Sequence, residues 1–410
     1  MAISISHSTQ IVKGEIQLAS SKSLSNRALI IRALCEDDFE IENLSNSDDT
    51  VVLQRLLNSK EKELNVNLGG TTMRFLTAFL AIKEGETILT GAERMKERPI
   101  KILVDALKQI GADIEYVEKE GFPPLKITGK KLEGGKITIN GSVSSQYISA
   151  LLMVAPRLKN GLQINFEGEF VSKPYINMTI EMMRYFGASV RWEGNDHLIV
   201  EQGEYKAKNI LIEADWSAAS YWYGMVAFAK EADVTLLGLK EESLQGDALV
   251  QGIYKNFGVT TEFVEGGIRL TKNSEFRILN SELKIDFVNF PDITQTVAVT
   301  CAALNVQAKL TGLKTLRIKE TDRIVALQSE LNNLGFHVEV VGDDIIVNHI
   351  SKEGCLLNRV EVKTYNDHRM AMAFAPLALL SEITIENENV VAKSYPNFWK
   401  DMESVGVEIN

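Results

Sequence analysis

The chain has 410 residues, too many for one simple core, so two or three domains are expected. Apolar residues make up 45% and charged residues 24%, an ordinary globular balance, and no stretch reaches the roughly 20 unbroken apolar residues of a membrane helix. The net charge of -11 excludes a basic nucleic-acid surface, and it makes any local cluster of cations a candidate site for a small anion.

Met1 to Ser6 has no basic region leading into an apolar run, so no secretory leader is expected. Cys35, Cys301 and Cys355 lack metal-ligand spacing and read as reduced core residues of a cytoplasmic protein. Farther along, Ser20-Ser21-Lys22-Ser23 opens a helix that turns apolar, and Asp48 to Asn58 is a second helix with no glycine after it. Gly69-Gly70-Thr71-Thr72 opens a third, followed by the strand Thr87 to Thr90. Arg94, Lys96 and Arg98 lead into Pro99, a good first helical residue, and that surface helix ends at Gly111. Ser144-Ser145-Gln146 opens the buried run Tyr147 to Ala155, and the strand Leu162 to Phe166 and a helix ending at Gly187 follow. The pattern returns from Asp215-Trp216-Ser217 through Val234 to Leu237 to Gly258. It returns again from Pro291-Asp292-Ile293-Thr294 through Lys309 to Thr311 and the helix Ile324 to Leu334 to Gly335. The last copy runs from Asn366-Asp367-His368-Arg369 through Met370 to Leu380 and Glu382 to Glu386 to Gly406.

The five glycines lie about 70 to 77 residues apart. Each suits the left-handed position that ends a helix, and alternating apolar residues then start a strand. The predicted unit is a buried helix, a strand, a surface helix, a glycine turn and two more strands. Six copies give a mixed α/β architecture in two groups of three, with the first copy short.

The helix openings carry the chemistry. A helix N-terminus presents unpaired N–H groups and a positive dipole end, which suits phosphate and carboxylate. Lys22 and Arg27, Arg74, Arg98, Lys319 and Arg323, His368 and Arg369, and Lys393 all stand at or near such openings. One such cation is ordinarily a solvated charge, but so many in an acidic chain point to a bound anion. Ser144, Ser145 and Gln146 offer hydroxyls and an amide for a polyhydroxylated ring or its phosphate, or a plain Ser cap. Asp292 and Glu320 suit helix caps as well as proton transfer beside anion-holding cations. Gly69 to Arg74 lacks the Lys of a Walker loop, the Rossmann glycine fingerprint is absent, and the five histidines have no ligand spacing. Neither a nucleotide cofactor nor a metal is expected.

Several segments together carry a resemblance. These are Lys22 to Arg27, Arg94 to Ile100, Ser144 to Gln146, Ser172 to Tyr175, Leu316 to Arg323 and Asn366 to Met372. In this order, over nearly the whole length, they closely resemble the EPSP synthase type of the enolpyruvyl transferase family. The resemblance implies an α/β fold of six βαβαββ units, three per lobe, hinged over a cleft that is the active site. One lobe would be residues 20–212 and the other 1–19 plus 213–410. It implies transfer of the enolpyruvyl group of phosphoenolpyruvate to the 5-hydroxyl of shikimate 3-phosphate, without cofactor or metal. The enzyme would be a cytoplasmic monomer that glyphosate inhibits and that binds neither nucleic acid nor membrane.

By the same resemblance Lys22, Gly70, Arg98, Gln146, Arg323, Arg369 and Lys393 would hold phosphoenolpyruvate. Lys22, Ser23, Arg27, Ser144, Ser145, Gln146, Ser172, Tyr175, Asp292 and Lys319 would hold shikimate 3-phosphate. Asp292 and Glu320 would be the acid–base pair, with Lys22 and His368 completing the catalytic set. Three departures from the family pattern are Leu68, Thr315 and the short stretch from Ser47-Asp48-Asp49 to Gly69. Two rival readings are a UDP-N-acetylglucosamine enolpyruvyl transferase and a non-catalytic anion-binding relative. The first usually has a Cys in the cleft loop, and Gly91 to Pro99 has none. The second would have lost Lys22, Asp292, Glu320 and His368, which are all present.

Overall fold

The computed structural model describes all residues except 143, 169–172, 277–281 and 351–359. Ser172 and Cys355 lie outside the described residues. The chain divides into two compact units. One is continuous, Ser21–Ile212, and the other is split, Met1–Ser20 with Glu213–Asn410. Each has its own hydrophobic core.

The repeat is clearest between residues 135 and 200. Strand Gly135–Asn140 crosses through helix Ser145–Val154 to pair in parallel with Leu162–Glu167. Helix Lys173–Tyr185 then leads to the hairpin Val190–Glu193 and His197–Val200, whose second strand pairs antiparallel with Leu162–Glu167. Among the described residues five four-stranded sheets share this pairing pattern, one parallel pair followed by two antiparallel ones. The turn before each hairpin explains the glycine spacing. Gly111, Gly187, Gly258, Gly335 and Gly406 all have φ between 76° and 101°, where a side chain is strained.

Two repeats are completed by distant sequence. In the last sheet of the split unit, Ile3–Ser6 sits between Ile383–Ile385 and Glu408–Ile409, so the N-terminus closes the C-terminal repeat. Strand Ile11–Gln17 pairs in parallel with Glu231–Leu237, although the whole continuous unit lies between them in sequence. At the crossing, Ser20 bridges Ala214, and Asp215 N–H donates to Ala19 carbonyl at 2.9 Å. The side chain of Gln245 donates to Ala214 carbonyl at 2.8 Å.

The first repeat is trimmed. Ile41–Glu42 pairs only with Ile210–Leu211 in a two-stranded sheet. After helix Asp48–Leu57 the chain goes directly to Glu63–Asn65, the first strand of the next sheet. In that next sheet Gly129 packs against the Leu80 and Lys83 carbonyls at the end of helix Gly70–Ile82. The matching end of helix Lys22–Leu34 borders instead a cavity of about 610 Å³, lined by residues that include Leu29, Arg32, Cys35, Leu57, Phe79 and Arg157.

Prolines account for two differences from the sequence reading. The run Met370 to Leu380 is not one α-helix. It ends at Phe374 and continues as the 3₁₀ turn Ala375–Leu379, because Pro376 has no N–H and its ring crowds the preceding turn. Pro99 is not the first helical residue, since helix Lys101–Gln109 starts after Ile100. Its carbonyl instead accepts from Arg74 at 2.9 Å and from the Tyr147 hydroxyl at 2.5 Å. Among the described residues no helix is long and apolar enough to cross a membrane.

Candidate active site

In the continuous unit, helices Lys22–Leu34, Gly70–Ile82 and Ser145–Val154 pack against one another. Polar links tie their first turns. Lys22 Nζ donates to Asp49 Oδ2 at 3.2 Å, Thr72 Oγ1 to Asp49 carbonyl at 3.1 Å, and Gln146 Nε2 to Thr71 Oγ1 at 3.1 Å. Three N-terminal dipole ends therefore converge. Ser144 caps its helix by accepting from Gln146 N–H at 3.4 Å, and Ser145 is buried behind it.

Arg98 is 7% exposed, and its Nε has no hydrogen-bond partner. Its guanidinium lies so close to Gly70 that a Cβ there would stand 2.6 Å from Nη1 and 2.7 Å from Nη2. A side chain at position 70 would thus displace the Arg98 guanidinium. Arg27 is buried, and its donors go to neutral oxygens. Nε meets Thr179 Oγ1 at 2.7 Å, Nη1 the Ser23 carbonyl at 2.8 Å, and Nη2 Ser149 Oγ at 3.1 Å and Tyr175 carbonyl at 3.2 Å. Burial lowers Arg27 to about 10, slightly offset by Tyr175.

The split unit repeats the arrangement with helices Trp216–Phe228, Thr294–Ala303 and His368–Phe374. Asp215 caps the first, accepting from Ser217 N–H at 2.8 Å, and Asp367 caps the third, accepting from Arg369 N–H at 2.9 Å. Asp292 sits in the 3₁₀ turn Pro291–Ile293 ahead of the second and caps nothing. Its Oδ2 accepts from Arg369 Nη2 at 2.9 Å, and its Oδ1 lies 3.3 Å from Arg323 Nη1 and 3.7 Å from Lys319 Nζ.

Arg323 is the hub. It is 2% exposed and donates to Asp367 through Nε at 2.6 Å and Nη2 at 3.1 Å, and to Glu320 Oε2 at 2.9 Å. Burial pulls its pKa down, but Asp367, Glu320 and Asp292 outweigh that and hold it above its ordinary value. Lys393 Nζ donates to Glu320 Oε1 at 2.6 Å. His368 is buried with Nδ1 3.5 Å from Asp367 Oδ1.

The sequence reading expected cations awaiting an anion, with Asp292 and Glu320 beside them. In the split unit they are interleaved with carboxylates of the chain itself, as buried charges must be. Lys393 ends the 3₁₀ turn Glu388–Lys393 and does not open a helix. Arg94 and Lys96 pair with Glu97, Glu93 and Glu118 on the surface.

Four residues were missed. Asp49 holds Lys22 and was signalled only by its place in Ser47-Asp48-Asp49. Asp367 was visible as part of Asn366 to Arg369, but its clasp on Arg323 was not. Ser217 and Asp247 had no signal beyond a helix opening and a turn. The Ser217 hydroxyl donates to Asp247 Oδ2, and Ser217 Oγ lies 3.4 Å from Arg369 Nη2. Asp247 is 3% exposed. Burial, aided by Asp292, raises its carboxyl to about 7. Among the described residues no group of three or more His, Cys, Asp or Glu is placed to hold a metal ion.

Known proteins match along the whole chain. The family model for EPSP synthase (3-phosphoshikimate 1-carboxyvinyltransferase) matches residues 7–59 and 51–402. A 3-phosphoshikimate 1-carboxyvinyltransferase of Bacteroides fragilis (strain YCH46) is 48% identical over 402 residues, covering 97% of this chain and 96% of its own. That of Mannheimia haemolytica is 37% identical over 440 residues, covering 97% of each. The structure of EPSP synthase from Acinetobacter baumannii superposes with a TM-score of 0.78 at 22% identity, covering 100% of this chain and 99% of that one. The last match shows the fold, the one the resemblance implied, and the first three are matches of sequence. This chain belongs to the EPSP synthase (3-phosphoshikimate 1-carboxyvinyltransferase) family.

Proposed function

We propose that this protein transfers the enolpyruvyl group of phosphoenolpyruvate to the 5-hydroxyl of shikimate 3-phosphate and releases phosphate. The observation that carries the reading is the position of Glu320 and Asp292, each held by two or more cations in one partly buried cluster. Arg323, Arg369 and Lys393, with Lys22, Arg98, Gln146 and the N–H of Gly70, take phosphoenolpyruvate. Lys22, Ser23, Arg27, Ser144, Ser145, Gln146, Tyr175, Asp292 and Lys319 take shikimate 3-phosphate, as does Ser172. The groups come from the lobe of residues 20–212 and from the lobe of 1–19 plus 213–410.

The bound anion competes with Glu320 for Lys393 and Arg323. With its cation partners drawn to the anion, Glu320 is left to pass a proton to C3 of the enol. The 5-hydroxyl attacks C2 and passes its proton to the Asp292 carboxylate, with Lys22 and His368 completing the catalytic set. The tetrahedral intermediate expels phosphate as C3 loses a proton. No cofactor takes part. Glyphosate competes for the same cations, the protein works as a monomer, and with Cys35 and Cys301 as free thiols the cytoplasm is its compartment.

Phosphate is expected to be released from phosphoenolpyruvate with shikimate 3-phosphate, and equally well after treatment with EDTA. Release only with UDP-N-acetylglucosamine as acceptor, or none with either, would refute the reading.

A second expected result concerns Gly70. Gly70→Ala places a methyl against the Arg98 guanidinium, so the Arg98 side chain must move. The KM for phosphoenolpyruvate should rise roughly tenfold or more, the usual effect of losing a hydrogen bond to a charged group. The helix itself should not suffer, since Ala is a better helix former by about 0.5 to 1 kcal/mol. Kinetics beside thermal denaturation check both halves. Equal KM values would show that Arg98 does not hold the substrate.

A further inference from the structure

Asp247 is a carboxylate that the reaction scheme above does not use. It lies in the 3₁₀ turn Gly246–Leu249, almost wholly buried. Its Oδ1 has no hydrogen-bond partner, and its Oδ2 accepts from the Ser217 hydroxyl. A buried carboxylate with an unmet oxygen is costly. If the site needed only a cap or a spacer, a neutral side chain would serve better. Asp215 already caps the neighbouring helix through Ser217 and Ala218 N–H.

The geometry shows what the carboxylate adds. Ser217 has one hydroxyl hydrogen and two lone pairs. With the hydrogen given to Asp247, the lone pairs are left for Arg369 Nη2, 3.4 Å away. That same Nη2 donates to Asp292 Oδ2 at 2.9 Å. Arg369 Nη1 is fixed separately, by Asp292 carbonyl at 2.9 Å and the Tyr221 hydroxyl at 3.4 Å. Four contacts thus set the plane of the guanidinium, and one of them depends on which way the Ser217 hydroxyl points.

We propose that Asp247 is a positioning residue for Arg369, acting through Ser217 to fix the guanidinium that meets phosphoenolpyruvate. The proposal rests on the functional reading above. The charged groups that face Asp247 are Asp292, Arg369 and Asp215. Burial and Asp292 hold its carboxyl up at about 7, with Arg369 opposing them. An ionised Asp247 is the better acceptor, so the clamp tightens as pH rises through neutrality and slackens below it.

The test uses the full-length protein with Asp247→Asn, Ser217→Ala and both together. An Asn amide can donate to Ser217 and reverse the hydroxyl, and Ala removes the hydroxyl. Each single variant should raise the KM for phosphoenolpyruvate roughly tenfold at pH 8, and leave that for shikimate 3-phosphate within about twofold. The double variant should be no worse than the worse single one, because both cut the same link. The ratio of the Asp247→Asn KM to the wild-type KM should grow from about pH 6 to 8, and this ratio cancels the ionisation of the substrate itself. Unchanged KM values, additive losses or a ratio flat in pH would each overturn the proposal. Should Asp247→Asn fail to fold, Ser217→Ala alone decides it through the split between the two KM values. Wild-type protein that releases no phosphate would remove the functional reading and this proposal together. Normal wild-type turnover with unaffected variants would remove the proposal only.

Discussion

Glu320→Gln should lower kcat by about 100- to 10,000-fold while the KM for phosphoenolpyruvate stays within a few-fold of wild type. The loss corresponds to roughly 3 to 5 kcal/mol of transition-state stabilisation. The carboxylate accepts from Lys393 at 2.6 Å and from Arg323 at 2.9 Å. On the proposed reading it neutralises, before substrate arrives, two cations that the substrate needs, so it adds no attraction for an anion. Replacing it by the nearly isosteric amide leaves those cations more available, and affinity holds or improves. What disappears, on the same reading, is the ability to give a proton to C3 and take it back. Deuterium incorporation at C3 of the enolpyruvyl group should slow in step with kcat. A variant with normal turnover and a slightly lower melting temperature would show that Glu320 only supports helix Arg323–Asn333, for which the usual effect is about 0.3 to 1 kcal/mol.

The largest effect on stability is expected at Asp367. Its side chain is fully buried, clasps Arg323 through two hydrogen bonds and caps helix His368–Phe374. Asp367→Ala leaves a buried guanidinium with one fewer counter-ion, which typically costs about 3 to 5 kcal/mol. The lost cap adds about 1 kcal/mol. Asp367→Asn keeps the cap oxygen and one bond to Arg323, so it should fall between Ala and wild type. Denaturant unfolding followed by tryptophan fluorescence suits the test, because Trp216 and Trp222 are buried in the same unit. An Ala variant within 1 kcal/mol of wild type, a threshold set by ordinary surface changes of about 0.5 kcal/mol, would show that Arg323 finds its balance elsewhere.

The fold was legible where local rules repeat. Each glycine turn announces itself through a residue that must adopt positive φ, and the alternation behind it marks a strand. The trimmed repeat could be noticed only as a missing glycine and a short stretch, since absent strands leave no pattern. The cations were legible for a different reason: they stand out against an acidic chain and cluster at helix openings. Their partners were not, because Glu320 meets Lys393 across 73 residues and Arg323 meets Asp367 across 44. Local sequence carries no trace of such pairs. Pro376 and Pro99 could have been read better, since a proline near the end of an apolar run foretells a change of helix type, and one after a cation-rich stretch need not start a helix. Asp247 had no such mark, as its character arises only from burial beside Asp292 and Arg369.

The missing hairpin of the first repeat lies at the opposite pole from the chemistry. Helix Lys22–Leu34 is 13 residues long, so about 20 Å separates Lys22 from the bare end that borders the cavity. One repeat in six can therefore lose its outer strands while the first turn of its helix keeps its place. Sequence can be gained or lost between Leu57 and Glu63 with little consequence at the far pole. The same freedom is lacking in the next repeat, where Gly129 covers the end of helix Gly70–Ile82. Among relatives of this chain, length should drift at this one seam, and it is the natural point for attaching a reporter or a tether without touching turnover.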